Sequence, residues 1–226
     1  RARDLAAGGE GAPLVPAFHR WLFRKPGVNR VIVNIGGIAN VTWLPAAENG
    51  AVLGFDTGPG NTLLDQWIAR HRDAPYDRDG AWAASGRVQN DLLTQLMADE
   101  YFAKAPPKSS GREHFNLAWL DQRLAGNLAP EDIQATLAEL TAASIAQSLK
   151  YLPEEIGEIY ICGGGTHNRH LLARLRALLP GIPVAIGIGQ DPAPRFHVVA
   201  ELAFVPVAVA EQVHAPSVHE TVLELA

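Results

Sequence analysis

Three clusters of glycine, each placed directly after an apolar segment, have the residue types and the spacing that suit chemistry. They are Gly36-Gly37, Gly58-Pro59-Gly60 with flanking Asp56 and Asn61, and Gly163-Gly164-Gly165. Glycine lets backbone approach an anion closely, and amide groups at the start of a helix point towards that anion. The second and third clusters therefore indicate a ligand, with phosphate or nucleotide as the chemistry that suits them. Gly36-Gly37 taken alone is equally typical of a hairpin turn.

The spacing of the glycines narrows the class of phosphate site. It matches neither GxxxxGK[ST] nor the dinucleotide fingerprint GxGxxG. A P-loop NTPase and a Rossmann dehydrogenase are therefore disfavoured.

The elements that must position these clusters read as strands followed by helices, which predicts a mixed α/β domain. Apolar runs predict strands at 31–35, 38–44, 52–56, 159–162 and 183–188. Periodicity and helix-start residues predict helices at 16–23, 62–71, 88–97, 115–124, 130–152, 167–179 and 198–213. Polar composition predicts loops at 72–85 and 106–112.

Composition limits the function classes. The chain has 226 residues, 47% of them hydrophobic and 19% charged, which excludes global disorder. A net charge of −5 with no run of Lys or Arg argues against a nucleic-acid scaffold. One cysteine, Cys162, excludes a disulfide framework and fits a reducing compartment such as the cytoplasm. Apolar stretches are interrupted before about 18 residues, so neither a membrane span nor a signal peptide is predicted.

Five motifs, in order along the chain, resemble those of the anhydro-N-acetylmuramic acid kinases. They are DLAAGGEGAPLVP at 4–16, NIGGIANVT at 34–42, GFDTGPGN at 54–61, PPKSSGRE at 106–113 and CGGGTHN at 162–168. That family belongs to the acetate and sugar kinase/Hsp70/actin superfamily. The resemblance, which covers roughly residues 1–180, therefore implies a ribonuclease-H-like (actin-like ATPase) lobe with a mixed sheet flanked by helices.

The resemblance also implies an activity. Family members use ATP, Mg²⁺ and water on 1,6-anhydro-N-acetylmuramic acid, a cell-wall recycling intermediate, to give N-acetylmuramic acid 6-phosphate and ADP. By motif position Asp4 corresponds to the carboxylate that acts as general base on the water. Without the resemblance, Asp4 reads as an ordinary surface or helix-capping aspartate.

The binding residues follow from the same motifs. Gly36 and Gly37 resemble the second phosphate-binding hairpin, and Gly163, Gly164, Gly165 and Asn168 resemble the adenosine motif. Asp56, Gly58, Gly60 and Asn61 would line the cleft near the phosphates or the sugar, an alternative that stays open. Asp56 either contacts the hydration shell of a metal or caps the glycine turn that follows it.

Other polar and aromatic residues receive weaker roles. Lys108 either neutralises phosphate charge or is a solvated loop lysine. No residue is assigned as a metal ligand, because the histidines lack ligand spacing. Trp67 and Trp119 are predicted to pack in the core, and Cys162, on a buried strand, is predicted to be a packing residue rather than a nucleophile.

Two departures from the family pattern shape the expected organisation. Nothing in residues 1–226 resembles the Gly-Thr-Ser-x-Asp-Gly loop of the family's N-terminal lobe. In the tail, Glu201 stands one place away from the acidic position that precedes the Ala-Phe pair. We therefore expect a single C-terminal lobe of a two-lobe kinase over 1–226, with the N-terminal lobe absent and little turnover by this chain alone.

The expected partners are a small amino sugar, but neither nucleic acid nor a membrane. The chain would either form a homodimer or pair with an N-terminal lobe. Two other functions stay open: a non-catalytic nucleotide- or sugar-binding module, and another sugar kinase of the superfamily.

Overall fold

A mixed five-stranded sheet with the strand order β3-β2-β1-β4-β5 lies at the centre of the fold. The computed structural model describes residues 16–187. The strands are β1 (Arg30–Ile35), β2 (Ile38–Leu44), β3 (Leu53–Pro59), β4 (Glu158–Cys162) and β5 (Val184–Ile186). Strands β1 to β3 form an antiparallel meander, and β4 and β5 run parallel to β1.

The helices flank the sheet and occur before β1, between β3 and β4, and between β4 and β5. They are α1 (Pro16–Phe23), α2 (Thr62–Arg72), α3 (Ala81–Ser85), α4 (Asn90–Met97), α5 (Glu100–Ala103), α6 (Leu117–Asp121), α7 (Pro130–Ser148) and α8 (Arg169–Leu178). Short 3₁₀ turns occupy Arg78–Gly80, Leu149–Tyr151 and Gly164–His167. None of the helices between residues 16 and 187 is long and apolar enough to cross a membrane.

One face of the sheet packs against α7 and α8. Strand residues alternate between faces, and Val31, Val33 and Ile35 of β1 are fully buried on this side. They pack with Ile145 of α7 and Leu175 of α8 in one apolar cluster. This packing fixes the ends of β1 and β4 relative to the two helices.

A second apolar core forms among the helices between β3 and α7. Trp67, Phe115 and Trp119 belong to it together with the N-terminal half of α7, including Leu137. Burial of Trp67 and Trp119 confirms the core positions predicted from their spacing. Because α7 contributes to both cores, this single helix joins the sheet to the helical segment.

The prediction of a loop at residues 72–85 is wrong over its second half. Residues 78–80 form a 3₁₀ turn and Ala81–Ser85 form α3, which buries Trp82. The buried Asp77 carboxylate accepts hydrogen bonds from the backbone N–H groups of Trp82 and Ala83, both at 2.9 Å. Asp77, one of the polar residues that suggested a loop, therefore satisfies free amides at the start of a helix.

The other predicted elements within residues 16–187 are confirmed with small shifts. The predicted third strand extends to Pro59, and the predicted helix 167–179 begins at Arg169 because a 3₁₀ turn precedes it. Helix α5 is not anticipated by the sequence analysis. The predicted tail helix at 198–213 lies outside the described residues.

Candidate functional site

Two of the glycine turns are hydrogen-bonded directly to each other. The Gly36 carbonyl accepts from the Asn61 N–H at 2.8 Å, and the Gly37 carbonyl accepts from the N–H groups of Gly60 and Thr62 at 2.9 and 3.0 Å. The Asn61 side-chain amide also donates to the Ile35 carbonyl at 3.1 Å. The β1–β2 hairpin and the start of α2 thus form one rigid unit.

The third glycine cluster lies against the same unit. Strands β1 and β4 are parallel neighbours, with Asn34 paired to Cys162, so both strands end at the same edge of the sheet. A β-carbon on Gly163 would lie 2.5 Å from Asn34 Oδ1, and one on Gly164 would lie 3.7 Å from Asn61 Nδ2. The structure therefore brings together the three clusters that the sequence singled out separately.

The glycines at this edge fall into two groups. A β-carbon on Gly60 or Gly165 would collide with the Gly36 carbonyl or with the Ile35 side chain, at 2.3 and 2.5 Å. The packing of the chain itself requires glycine there. On Gly36 and Gly164, by contrast, the shortest contact would be 3.5 and 3.7 Å. Glycine at these two positions leaves open backbone that a ligand can approach closely.

Gly163 and Gly58 adopt backbone conformations that L side chains rarely take. Their φ angles are +83° and +149°. A β-carbon on Gly58 would also lie 2.7 Å from the ring of Phe102. Both glycines are thus explained by the shape of the turns at the ends of β3 and β4.

Asp56 on β3 is buried and tied to the loop that contains the fourth motif. Its Oδ2 accepts from Ser109 Oγ at 2.9 Å and from the Ser110 N–H at 3.0 Å. The Asp56 N–H also donates to the Lys108 carbonyl at 3.1 Å. Within the described chain the carboxylate therefore caps this loop rather than the glycine turn that follows it. Burial raises the pKa of Asp56, and the hydrogen bonds from Ser110 and Ser109 oppose that shift.

Polar side chains cross the sheet in a row on the face opposite α7 and α8. Asp56 pairs with Asn40, Asn40 pairs with Asn34, and Asn34 pairs with Cys162. Directly opposed residues in a sheet share a face. Asn40 Oδ1 is buried and has no hydrogen-bond partner within residues 16–187. Asn40 was not among the site residues predicted from the sequence, although strand alternation from Asn34 through the hairpin places both asparagines on one face.

Cys162 ends this row. Its Sγ lies 3.7 Å from Asn34 Oδ1, and burial raises the pKa of the thiol to about 12. The protonated thiol is a poor nucleophile. This environment agrees with a packing role.

Asn168 has a structural task at the start of α8. Its side-chain oxygen accepts from the Leu171 N–H at 2.9 Å, which caps the helix. Its own N–H donates to the Gly165 carbonyl at 3.0 Å. Asn168 thus holds the glycine cluster at the N-terminus of α8, and its assignment to a nucleotide stays a prediction.

Lys108 is not a solvated loop lysine, because it is only 5% exposed. Its Nζ donates to the Tyr101 carbonyl at 3.2 Å and lies 4.8 Å from the centre of the Tyr101 ring. Burial lowers the pKa of Lys108, and the nearby Lys150 and Lys104 lower it further. Its ammonium group therefore anchors the loop that holds Asp56.

Several predicted or considered residues lie elsewhere. Asp4, Glu201, His197, His214 and His219 fall outside the described residues. His19 and His71 contact Thr42 and Trp67, respectively, and His114 lies 3.5 Å from the Asp99 carboxylate. Between residues 16 and 187 no group of three or more His, Cys, Asp or Glu side chains is arranged to hold a metal ion.

The fold is similar to that of a solved sugar kinase. A xylulose kinase from Rhodospirillum rubrum superposes with a TM-score of 0.50 at 14% sequence identity, covering 76% of this chain and 37% of that one. At this identity the likeness concerns the fold alone. The mixed sheet flanked by helices is the fold that the motif resemblance implied.

The family follows from the sequence comparisons. The family model described as anhydro-N-acetylmuramic acid kinase matches residues 1–219, and the chain belongs to this family. It is 56% identical over 196 residues to an anhydro-N-acetylmuramic acid kinase of Shewanella baltica, covering 85% of this chain and 53% of the relative. It is 58% identical over 187 residues to an anhydro-N-acetylmuramic acid kinase of Pseudomonas paraeruginosa, covering 82% of this chain and 51% of the relative. The chain spans about half the length of the curated relatives it matches.

Proposed function

We propose that the protein of which this chain forms at least part converts 1,6-anhydro-N-acetylmuramic acid to N-acetylmuramic acid 6-phosphate, with ATP as the phosphoryl donor. The observation that carries the proposal is the convergence of three glycine turns at one edge of the sheet in a member of this kinase family. The open backbone at Gly36 and Gly164 suits the phosphate and adenosine ends of a nucleotide.

The reaction has two coupled bond changes. The oxygen of a water molecule bonds to C1 of the sugar, and the C1–O6 bond of the anhydro bridge breaks. O6 takes the γ-phosphoryl group, and ADP leaves. Asp4, an ionised carboxylate in the first motif, accepts the proton of the attacking water.

Mg²⁺ fits the donors present at the edge of the sheet. The Asp56 carboxylate and the unpartnered Asn40 Oδ1 belong to opposed residues of β3 and β2 in the described part of the chain. Mg²⁺ usually keeps several of its waters and is bound through one or two carboxylates together with substrate phosphates, and an amide oxygen can accept a hydrogen bond from such a water. Asp56 and Asn40 would hold the hydrated ion, which supplies positive charge to the phosphates.

The organisation proposed is a C-terminal lobe that works with a second lobe across a nucleotide cleft. It is supported by the share of each relative that the chain spans, 53% and 51%. A second lobe is needed because phosphoryl transfer depends on holding both substrates in line. We place the reaction in the cytoplasm and take its substrate to be the free amino sugar.

The test is ADP release from ATP and the anhydro sugar by the protein as the cell makes it. Asp4→Asn is expected to lower kcat by at least about 100-fold, the usual contribution of a positioned base. Asp91→Asn, which changes an exposed aspartate of α4, serves as the matched control and should match the wild type.

Two outcomes would contradict the proposal. Full activity of the Asp4→Asn variant would overturn the assignment of the base. Wild-type protein that binds nucleotide and sugar but releases no ADP would identify a binding module instead of a kinase.

A further inference from the structure

Arg112 lies across the turn that joins β1 to β2. If Gly37 carried a β-carbon, that atom would lie 2.9, 3.0 and 3.4 Å from Nη2, Nε and Cζ of Arg112. A side chain at residue 37 would occupy the space that the guanidinium now fills. Glycine at position 37 therefore leaves the space in which the guanidinium of Arg112 lies.

The guanidinium of Arg112 is available for a further partner. The residue is exposed, and within residues 16–187 its hydrogen bonding is limited to its backbone carbonyl, which accepts from Asn116 Nδ2 at 3.4 Å. Its positive charge acts on the carboxyl group of Asp65 on α2. Burial raises the pKa of Asp65 to about 6, and the positive charge of Arg112 opposes that shift.

The turn under Arg112 is rigid. The carbonyl groups of Gly36 and Gly37 are both occupied by amides at the start of α2. The turn is open at Gly36, where an added β-carbon would meet no atom of the described chain closer than 3.5 Å. A planar cation with five N–H donors thus lies beside an open glycine backbone.

We propose that Arg112 binds the terminal phosphate groups of the nucleotide at the Gly36–Gly37 turn. This inference rests on the proposed function, since it assigns one more contact to the same site. A guanidinium binds two phosphate oxygens at once through its fork of N–H donors, which an ammonium group cannot do. The guanidinium of Arg112 already lies over Gly37, so the donors are positioned before the ligand arrives.

The experiment measures binding of a non-hydrolysable ATP analogue and of AMP by calorimetry, with the protein as the cell makes it. Arg112→Gln should weaken binding of the ATP analogue by at least about tenfold and leave AMP binding unchanged. Arg112→Lys should recover only part of the loss, because lysine keeps the charge but lacks the fork.

The matched control is Arg87→Gln. Arg87 is also exposed, and its backbone makes its hydrogen bonds to Asp132 and Gln89. This variant should bind both nucleotides as the wild type does. Thermal unfolding of all three variants checks that the fold is intact.

Three results would count against the inference. Unchanged binding of the ATP analogue by Arg112→Gln would overturn it while leaving the kinase proposal in place. An equal loss for AMP and the ATP analogue would show that Arg112 supports the site as a whole rather than the terminal phosphates. Wild-type protein that binds neither nucleotide would overturn the proposed function, and this inference with it.

Discussion

The carbonyl oxygen of Gly36 occupies the space that a β-carbon of Gly60 would need. A β-carbon on Gly60 would lie 2.3 Å from that oxygen. The Gly60 N–H donates to the neighbouring Gly37 carbonyl at 2.9 Å. This contact between two turns, 24 positions apart in sequence, fixes the start of α2 against the β1–β2 hairpin.

We therefore expect Gly60→Ala to lower the free energy of unfolding by about 2–3 kcal/mol, because the methyl group must displace backbone. Gly36→Ala, which adds a methyl group to the other glycine of this contact, is the matched control. Its β-carbon would meet the Ile38 carbonyl oxygen at 3.5 Å, an ordinary distance. That variant should keep the wild-type stability or gain up to about 1 kcal/mol. Urea titration of both variants checks the difference, and equal values for the two would contradict it.

Gly164→Ala is expected to separate binding from folding. The added methyl group would lie 3.7 Å from Asn61 Nδ2, so the free energy of unfolding should not change beyond about 0.5 kcal/mol. Affinity for ADP should nevertheless fall roughly tenfold, because the methyl group occupies space over the backbone that a nucleotide would use. Calorimetric titration with ADP measures the loss. Wild-type affinity in this variant would remove Gly164 from the nucleotide site.

Lys108→Met tests the buried ammonium group. Methionine keeps much of the length of the side chain and removes a charge whose charged neighbours, Lys150 and Lys104, repel it. We expect the free energy of unfolding, measured by urea titration, to be unchanged or about 1 kcal/mol higher. Lys108→Ala, which also removes the packing against Tyr101, should cost about 2 kcal/mol.

The pH dependence of Lys108 gives a second readout. Its pKa in the folded state lies below the ordinary lysine value of 10.5, so the unfolded chain holds the proton more tightly. Stability of the wild type should rise with pH between the lowered pKa and about 10.5. In Lys108→Met the free energy of unfolding should rise less over this pH range, because the ammonium group that titrates is gone. Identical pH profiles would mean that burial does not penalise the charge.

The burial of His19 leads us to expect a loss of stability in mild acid. It is 4% exposed, and burial lowers its pKa from 6.5 to about 4. The unfolded chain therefore binds a proton between these two pH values while the folded chain does not. About 2 kcal/mol of the stability present at neutral pH should be lost at pH 5 through this group.

The check is denaturant unfolding at pH 5 and pH 7. His19→Asn should reduce the difference between the two pH values, although it also loses packing volume. His167→Asn, which changes an exposed histidine of the 3₁₀ turn, should keep the wild-type difference. A full acid dependence in His19→Asn would assign the effect to other groups.

The sequence predicted the strands of the meander well because local patterns decide them. An apolar run, Gly36-Gly37 and a second apolar run specify a hairpin, and β1 and β2 have that form. The loop predicted from polar composition was wrong at 78–85. There the Asp77 carboxylate accepts hydrogen bonds from the backbone N–H groups of Trp82 and Ala83, and the sequence does not show that these groups lie beside it. The alternative prediction that Lys108 is a solvated loop lysine was wrong for a related reason. Its burial depends on Tyr101, which packs over it from a helix that the sequence analysis did not anticipate.

By itself the sequence determined the α/β class, the family and the three glycine clusters, because these depend on residue types and on spacing along the chain. Only the tertiary structure decided which glycines are required by packing and which leave space. That distinction depends on atoms from distant segments, such as the Gly36 carbonyl beside Gly60 and the Arg112 guanidinium over Gly37. Strand pairing likewise placed Asn40 opposite Asp56, because register aligns side chains that no local spacing relates.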